Sequence, residues 1–451
     1  MEQKKSASLQ ERIKGNKLYI DAGAQGLSPV LKRGRLESAM AAYIRAENLA
    51  SNVDELSSAS KNHGKAAWHL SKTLREEKEH PIQVIYYLKE AIKSFSVAYN
   101  KGLAKEVDWR EDVLRTLNTC LGDLIQVCEQ IPDTDERFKI LTSFTDIVTV
   151  NSAAVELQLN LATFLFHDGA QKIQQNDYRG ALSRLRDCYR PIEEARRLNR
   201  DTDEFCRDQD IRILEKDVYF NTCSAESIQA REYGHQLLDI ATLDEESLNM
   251  NLVWDAIDWY KRAAILTREL DLEQEAIALS HLGFVYNKVL KLKYKSKEYY
   301  KKCFELAESM KPRTFFTQDW YQQCVSTLQE FQLEERLRDE KEKQKEREKK
   351  LEEIREELED LKKNNTGKSE ISIHVYNTYP PKNPKWVKPS EEDMAKWAKM
   401  EMKELKKVLL KGINAYHPDK IDAEEHGEKW KTLCEEITKL LTAHYEFTKV
   451  G

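Results

Sequence analysis

The residues best suited to chemistry or recognition lie near the C-terminus, in the stretch Tyr416-His417-Pro418-Asp419-Lys420. His417 and Asp419 supply an imidazole and a carboxylate that could begin a metal site, but no third ligand accompanies them at motif spacing. The chain has no phosphate loop, no His-Glu-x-x-His motif and no nucleophile motif with a matching base. We therefore expect a recognition loop in a protein that is not an enzyme, with no catalytic residue, no cofactor and no metal.

Two amphipathic helices are predicted on either side of this loop. Ser390 is a good N-cap, and acidic residues follow it in the first turn, where the helix dipole favours them. No proline interrupts the chain from there to about Ala415, and the helix must end near Tyr416 because a residue before proline leaves the α region. A second run has apolar residues at helical spacing, namely Trp430, Leu433, Ile437, Leu440, Leu441 and Tyr445. The pattern predicts an antiparallel helical hairpin whose tip exposes the His-Pro-Asp tripeptide.

A row of lysines lies on the first of these helices. Lys399, Lys403, Lys407 and Lys411 are four residues apart, so they stack on one helix surface, and Lys406 lies beside them. Such a row is most often a solvated face. Its position directly before a specific tetrapeptide favours a surface that attracts a partner through charge.

This stretch resembles the J-domain family, in which a His-Pro-Asp tripeptide joins helix II to helix III. Leu405-Lys406-Lys407, Lys411 and the pentapeptide from Tyr416 to Lys420 stand in the register of the family's helix II and loop. The resemblance covers about the last 60 residues and is specific at the loop. It implies that a 70-kDa heat-shock chaperone is the partner and that this chain stimulates its ATP hydrolysis. The residues that would bind the chaperone are His417, Pro418, Asp419, Lys399, Lys403, Lys406, Lys407 and Lys411.

The chain departs from the family pattern at several positions. Leu410 and Ala415 stand where helix II is often basic, and Gly412 costs up to about 1 kcal/mol of helix stability relative to Ala. The usual helix I is not evident. Either residues 371–389, with their four prolines, replace it, or the hairpin packs on another part of the chain.

Composition indicates a helical protein of more than one domain. A chain of 451 residues is too long to fold around a single hydrophobic core. Its 33% charged residues, with only 15 Gly and 10 Pro, favour long helices. A net charge of -6 does not indicate a protein that binds nucleic acid. No apolar run reaches membrane-spanning length. The N-terminus lacks the apolar core of a signal peptide, and the eight cysteines are scattered. We expect a reduced cytoplasmic protein with no nucleic-acid partner and no membrane insertion.

One spacing recurs upstream: a small residue, three residues, a bulky residue, two residues and a second small residue. It puts two small side chains and one bulky one on a single helix face, where a neighbouring helix can approach closely. A weaker copy with Phe138 and Leu141 opens at Thr134, twelve residues after Gly122. The clearer copies are Ala39-Tyr43-Ala46, Ala91-Phe95-Ala98, Ala181-Leu185-Cys188, Ala256-Tyr260-Ala263 and Ser296-Tyr300-Cys303.

These segments resemble tetratricopeptide repeats, most clearly at Ile13-Lys14-Gly15-Asn16 and Asn176-Asp177-Tyr178-Arg179-Gly180-Ala181. Uneven intervals predict an all-α, irregular helical solenoid as domain 1–326, whose concave groove would bind an unidentified protein partner. Some tetratricopeptide proteins grip the acidic tail of a chaperone in this groove. Arg12 and Asn16 match the first pair of that clamp, but Gly64-Lys65-Ala66-Ala67-Trp68 lacks its asparagine. The alternative is that Asn16 caps or packs locally.

Three segments complete the predicted organisation. Residues 327–363 form a long charged helix, and residues 364–389 form a semi-rigid linker because of their prolines. Within the linker, residues 371–376 alternate and are expected to be a lone strand or an extended segment. Residues 390–451 form the J-domain-like module. The long helix carries a stripe that could dock on the solenoid, dock on the hairpin or pair as a short coiled coil: Leu351, Ile354, Leu358 and Leu361.

The leading functional prediction is a co-chaperone that recruits its chaperone to one place while the solenoid holds a client or scaffold. The alternative is a structural interaction protein in which the tripeptide is vestigial or packs internally. In either case the long helix or the groove could cover the lysine row and mask the tripeptide.

Overall fold

The computed structural model describes residues 6–200, 206–243, 248–383 and 386–447, and every regular element in these ranges is helical. The prediction of an all-α helical repeat fold is confirmed. The chain divides into two compact units, Met1–Ser326 and Thr327–Gly451. One long helix, Asp319–Glu353, contains the boundary between them.

The first unit is a succession of antiparallel helix pairs. Polar N-caps begin many of its helices: the Ser6 side chain accepts from the Leu9 N–H, and Asn52 accepts from the Glu55 N–H at 2.8 Å. Its helices are α1 (Ala7–Ala22), α2 (Pro29–Asn48), α3 (Val53–Glu76), α4 (Pro81–Lys101), α5 (Val107–Cys128), α6 (Thr134–Thr142), α7 (Asn151–Gln174), α8 (Tyr178–Asp187), α9 (Tyr189–Asn199), α10 (Cys206–Ala241), α11 (Met250–Thr267), α12 (Leu272–Phe284) and α13 (Lys293–Ser309), with a π-helical turn at Val285–Val289 before α13 and the start of α14 (Asp319–Glu353).

The five clear copies of the repeated spacing are the buried faces of α2, α4, α8, α11 and α13. In each copy the bulky residue is at most 2% exposed, and both flanking small residues are fully buried. In each copy a glycine of the preceding helix faces the bulky side chain so closely that an added Cβ would lie 2.6–3.1 Å from it. These contacts explain the repeat, because a glycine lets the ring or branched chain approach this closely, whereas a Cβ would force that side chain to shift. The pairs are Gly15–Tyr43, Gly64–Phe95, Gly169–Leu185, Gly234–Tyr260 and Gly283–Tyr300.

The weaker copy does not make this contact. Nothing lies within 4 Å of the position that a Cβ on Gly122 would occupy. The helix that carries Phe138 and Leu141, α6, has only nine residues, and Phe138 is half-buried. The copy that is weaker in sequence therefore also lacks the glycine contact that the five clear copies share.

The second unit contains the remainder of α14 and seven further regular elements in the described ranges. Its core consists of apolar residues from α15, α16, α17, α18 and α20, with Ile354, Leu361, Ile371, Leu409, Tyr416, Cys434 and Ile437 among those at most 1% exposed. The elements are α15 (Arg355–Lys363), α16 (Lys368–Thr378), α17 (Glu391–Trp397), α18 (Met402–Tyr416), a 3₁₀ turn (Pro418–Lys420), α19 (Ala423–His426) and α20 (Glu428–Phe447).

Residues 368–378 form a helix, so the prediction of a strand or extended linker there is wrong. Ile371 and Val375 lie one turn apart and are buried, as is Tyr376. The α16 helix packs against α18 and α20. Burial of this face on two neighbouring helices overrides the β-propensity of the alternating residues. The predicted linker 364–389 is correspondingly shortened, and the chain without regular structure begins at Tyr379.

The apolar stripe of the long charged segment packs into the core of the second unit. Ile354 and Leu361 are fully buried there, and Leu351 and Leu358 are partly buried against them. The predicted single helix over 327–363 is interrupted at Ile354, where α14 gives way to α15. Residues 332–350 upstream of the stripe are exposed along their whole length. Of the alternatives left open by the sequence, docking beside the C-terminal hairpin is the observed one.

Candidate functional site

The His-Pro-Asp tripeptide lies directly after α18, as the proline predicts. His417 leaves the helix with φ -58° and ψ 128°, and Pro418–Lys420 form a single 3₁₀ turn. The Asp419 N–H is donated to His417 Nδ1 at 3.3 Å, and the Lys420 N–H is donated to the His417 carbonyl at 2.9 Å. The turn is therefore closed by its own backbone, and its side chains are left to the surface.

Both ionisable side chains of the tripeptide face solvent. The His417 side chain is 43% exposed and the Asp419 side chain is 88% exposed, with His417 Nδ1 3.7 Å from Asp419 Oδ2. Among the residues that the structure describes, no group of three His, Cys, Asp or Glu side chains could hold a metal ion. The arrangement presents one imidazole and one carboxylate for recognition by another surface.

Tyr416 anchors the helix end from which the tripeptide projects. Its hydroxyl donates to the Tyr379 carbonyl at 2.7 Å and to the Val375 carbonyl at 3.3 Å, and its own carbonyl accepts from Thr438 Oγ1 at 2.9 Å. Burial raises the pKa of the Tyr416 hydroxyl, so it remains a protonated donor at neutral pH. Three separate segments are thereby joined one residue before His417.

Of the predicted row of lysines, the part that lies on one helix belongs to α18, and we call it the lysine face. Lys403, Lys407 and Lys411 are exposed along it, and Lys406 is half-buried at its edge. Lys399 is also exposed, but it lies in the turn between α17 and α18. The predicted continuous helix and its four-lysine row are therefore wrong at the N-terminal end.

The break between α17 and α18 has a specific cause. The Tyr376 ring contacts Trp397 with a centroid distance of 5.7 Å and Tyr416 with a centroid distance of 6.1 Å. In one straight helix, residues 19 positions apart would be separated by about 28 Å, so they could not both contact a single ring. The turn at residues 398–401 brings Trp397 back to the core that Tyr416 already occupies.

Gly412 has a packing role that the sequence did not indicate. A Cβ at this position would lie 2.9 Å from Leu441 Cδ1 and 3.1 Å from the Tyr376 hydroxyl oxygen. The glycine thus lets α18 approach α20 and α16 closely, which offsets its low helix propensity.

The α15 helix is attached to this module by polar contacts as well as by its apolar stripe. Asp360 Oδ2 accepts from His374 Nε2 at 2.7 Å and from the Tyr379 hydroxyl at 2.8 Å. The hydrogen bond from Tyr379 lowers the pKa of Asp360, with a further contribution from His374. Ion pairs to α20 lie on the same side: Arg347–Glu436, Lys350–Glu428 and Glu357–Lys429. Within this unit, α14 and α15 therefore lie along α20 and leave the lysine face of α18 exposed.

Arg12 and Asn16, the weak groove candidates, both lie on α1. Asn16 Oδ1 accepts from the Tyr43 hydroxyl at 2.8 Å and from Asn62 Nδ2 at 3.1 Å, so it links α1 to α2 and α3. Arg12 is half-buried. Asn62 supplies an asparagine near Asn16 that the sequence comparison did not match. The neighbouring Lys61 is paired with Asp112 at 2.8 Å, which neutralises a charge that an acidic tail would need.

A polar cluster between α10, α11 and α12 was missed by the sequence reasoning. Arg231 is 8% exposed and donates to the carbonyl and side-chain oxygens of Gln274. The Tyr260 hydroxyl and His235 Nδ1 are 2.9 Å apart, and the His235 and His281 rings are in edge contact at 4.4 Å. Burial lowers the pKa of His281 to about 3, so this imidazole is neutral. The spacing of Arg231 and His235, four residues apart, is a signal in the sequence that could have indicated this cluster.

The seven cysteines whose side chains the structure describes are buried and unpaired: Cys120, Cys128, Cys188, Cys223, Cys303, Cys324 and Cys434. Over the same described ranges, none of the helices combines the length and the apolar character that crossing a membrane requires.

No family model matches the chain, and no curated protein matches it. Among solved structures, a circular tandem repeat protein with novel repeat topology and enhanced subunit contact surfaces is 13% identical over 98% of this chain and 90% of that chain, with a TM-score of 0.17. Function is therefore inferred from the residues of the site.

Proposed function

We propose that this protein is a co-chaperone, which binds a 70-kDa heat-shock chaperone through His417, Pro418 and Asp419 and stimulates its ATP hydrolysis. The observation that carries the proposal is the solvent-facing His-Pro-Asp turn, fixed at the end of a helix whose exposed face bears Lys403, Lys407 and Lys411. A tripeptide that only packed internally would not leave the Asp419 side chain 88% exposed.

The helix α16 supports the proposal because it could serve as the first helix that the family pattern requires and that was not evident in the sequence. It packs on both α18 and α20, and the Val375 and Tyr379 carbonyls accept from Tyr416. The loop would then be held rigidly, which lowers the entropy lost when a partner binds.

The lysine face would meet an acidic surface of the chaperone. Exposed charges of opposite sign accelerate the association of two proteins at low salt. They contribute less to the association rate as added salt screens them. The solenoid would hold a client or a scaffold protein and so determine where the chaperone is recruited. The pairing of Lys61 with Asp112 weighs against an acidic chaperone tail as the occupant of its groove.

The test is steady-state ATP hydrolysis by a cytosolic 70-kDa chaperone with the full chain added. The wild type should stimulate hydrolysis, and His417→Gln should abolish the stimulation. His426→Gln is the matched control, since His426 belongs to the same module but lies outside the tripeptide. If the folded wild type gives no stimulation, or His417→Gln stimulates equally, the protein is the interaction scaffold in which the tripeptide has no chaperone to engage.

A further inference from the structure

The strongest concentration of one charge outside the proposed site begins in the turn between α12 and α13 and continues into α13. Residues 288–302 contain seven lysines and a single acid, Glu298, in a chain whose net charge is -6. The basic residues are Lys288, Lys291, Lys293, Lys295, Lys297, Lys301 and Lys302. We call residues 288–302 the basic tip.

Two large apolar side chains lie on the surface at the end of this hairpin. Leu292 is 49% exposed and Tyr294 is 81% exposed, and Lys291, Lys293 and Lys295 alternate with them and are also exposed. Single exposed apolar residues are common, but here they stand at the turn of an antiparallel hairpin among cations. Side chains that are exposed at the end of a hairpin can all contact a flat membrane surface at the same time.

The conformation of the turn is well defined. The π-helical turn is closed by the Leu290 N–H, which donates to the Val285 carbonyl at 3.0 Å, and the Leu292 N–H donates to the Tyr286 carbonyl at 2.8 Å. Lys291 has φ 57°, a left-handed conformation that glycine or asparagine would adopt with less strain. Folding alone does not favour a lysine at this position.

The charges are also unfavourable for the helix that carries them. The first turn of α13 contains Lys293 and Lys295 and no acid, although the helix dipole favours acids there. Glu298 lies 3.9 Å from Lys295 and 3.1 Å from Lys302, and it is the one acid of residues 288–302. Seven lysines against one acid give the segment a strong net positive charge, to which an anionic surface is complementary.

We infer that the basic tip binds the anionic surface of a lipid bilayer, with Leu292 and Tyr294 entering the headgroup region and the lysines meeting lipid phosphates and carboxylates. Clusters of four to eight basic residues are typical of binding to acidic lipids, and apolar side chains beside them add burial at the interface. The segment has no arginine, the residue best suited to bidentate contacts with nucleic-acid phosphates. This contact is peripheral and independent of the proposed chaperone site.

The experiment is co-sedimentation of the full chain with phosphatidylcholine vesicles that either contain or lack phosphatidylserine. The wild type should bind the phosphatidylserine vesicles and be released as salt is raised. Each lysine near an anionic surface changes partitioning roughly fivefold, so the triple variant Lys291→Glu, Lys293→Glu, Lys295→Glu should lower binding by about a hundredfold or more. The acids at positions 293 and 295 suit the first turn of α13, and position 291 is exposed before the helix, so the variant should remain folded.

The matched control reverses three exposed lysines on α14 (Lys341→Glu, Lys343→Glu, Lys345→Glu), with the same change in net charge, and should bind as the wild type does. The double variant Leu292→Ser, Tyr294→Ser should weaken binding while its salt dependence remains. The inference is overturned if the wild type binds both vesicle types equally or not at all, or if the two charge-reversal variants behave alike. It is also overturned if a labelled RNA, and not the vesicles, binds in a manner that the triple variant abolishes.

Discussion

The hydroxyl of Tyr416 donates a hydrogen bond to the backbone carbonyl of Tyr379 at 2.7 Å. This bond ties the last residue of α18 to the end of the α16 segment, immediately before the exposed His-Pro-Asp turn. The position of the turn is therefore determined by a helix that lies almost forty residues earlier in the chain.

Tyr416→Phe should loosen this attachment while the core stays filled. Losing one buried and one partly buried hydrogen bond should destabilise the second unit by about 1 kcal/mol. Hydrogen exchange of the α18 amides in the full chain measures this change. Tyr376→Phe is the control, since phenylalanine keeps the ring contacts of Tyr376 with Trp397 and Tyr416, and an equal effect in the two variants would contradict the role given to the Tyr416 bond.

Gly283→Ala and Gly122→Ala should change stability in opposite directions. A Cβ on Gly283 would lie 2.9 Å from the Tyr300 ring, so overpacking should cost about 1–3 kcal/mol. A Cβ on Gly122 meets nothing within 4 Å inside α5, so the alanine should stabilise the helix by up to about 1 kcal/mol. Urea denaturation of both variants distinguishes these outcomes, and two changes of the same sign would contradict the packing described.

The Asp360 contacts should make the second unit sensitive to acid. The pKa of Asp360 in the folded state is lowered, chiefly by the Tyr379 hydrogen bond, from an ordinary value of 3.8. Its contribution is therefore complete above that value and is lost as the pH falls through the lower folded-state pKa. Asp360→Asn should lower stability at neutral pH and flatten the acid limb of the stability profile below about pH 4. Hydrogen exchange of α16 as a function of pH measures this, and an unchanged acid limb would refute the assignment.

In the proposed complex with a chaperone, Lys407 should contribute more to binding than Lys399. Both are exposed, but Lys407 lies on the α18 face that leads to the tripeptide, and Lys399 lies in the preceding turn. At low salt, Lys407→Ala should weaken binding roughly two- to fivefold, the range of an exposed ion pair, and Lys399→Ala should weaken it less. Titration of labelled chaperone at two salt concentrations provides the measurement. Equal losses would favour the continuous row that the sequence predicts.

The second unit should need α15 for stability. A fragment of residues 364–451 lacks Ile354 and Leu361, which are fully buried in the core of this unit. Burial of such residues is worth about 2–5 kcal/mol each. A fragment of residues 327–451 retains them. Thermal melts followed by circular dichroism should be cooperative for the longer fragment and broad for the shorter one, and equal cooperativity would show that α15 is dispensable.

Several features of the fold could be predicted because they depend on near neighbours in the chain. Helical spacing identified the buried faces at Tyr43, Phe95 and Tyr300, and the proline at position 418 identified the end of α18. The residues of the candidate site, His417 and Asp419, were likewise evident from a short motif. In each case a few consecutive residues contain the information.

The sequence alone determined that this protein is built from helices, which side chains face their partners in five helix pairs, and where the His-Pro-Asp turn interrupts the C-terminal hairpin. Tertiary structure decided that residues 368–378 are helical, that Lys399 leaves the lysine row and that the apolar stripe from Leu351 to Leu361 packs in the core of the second unit. The reason is that Tyr376 contacts both Trp397 and Tyr416, and no local pattern reports contacts between residues so far apart in the chain.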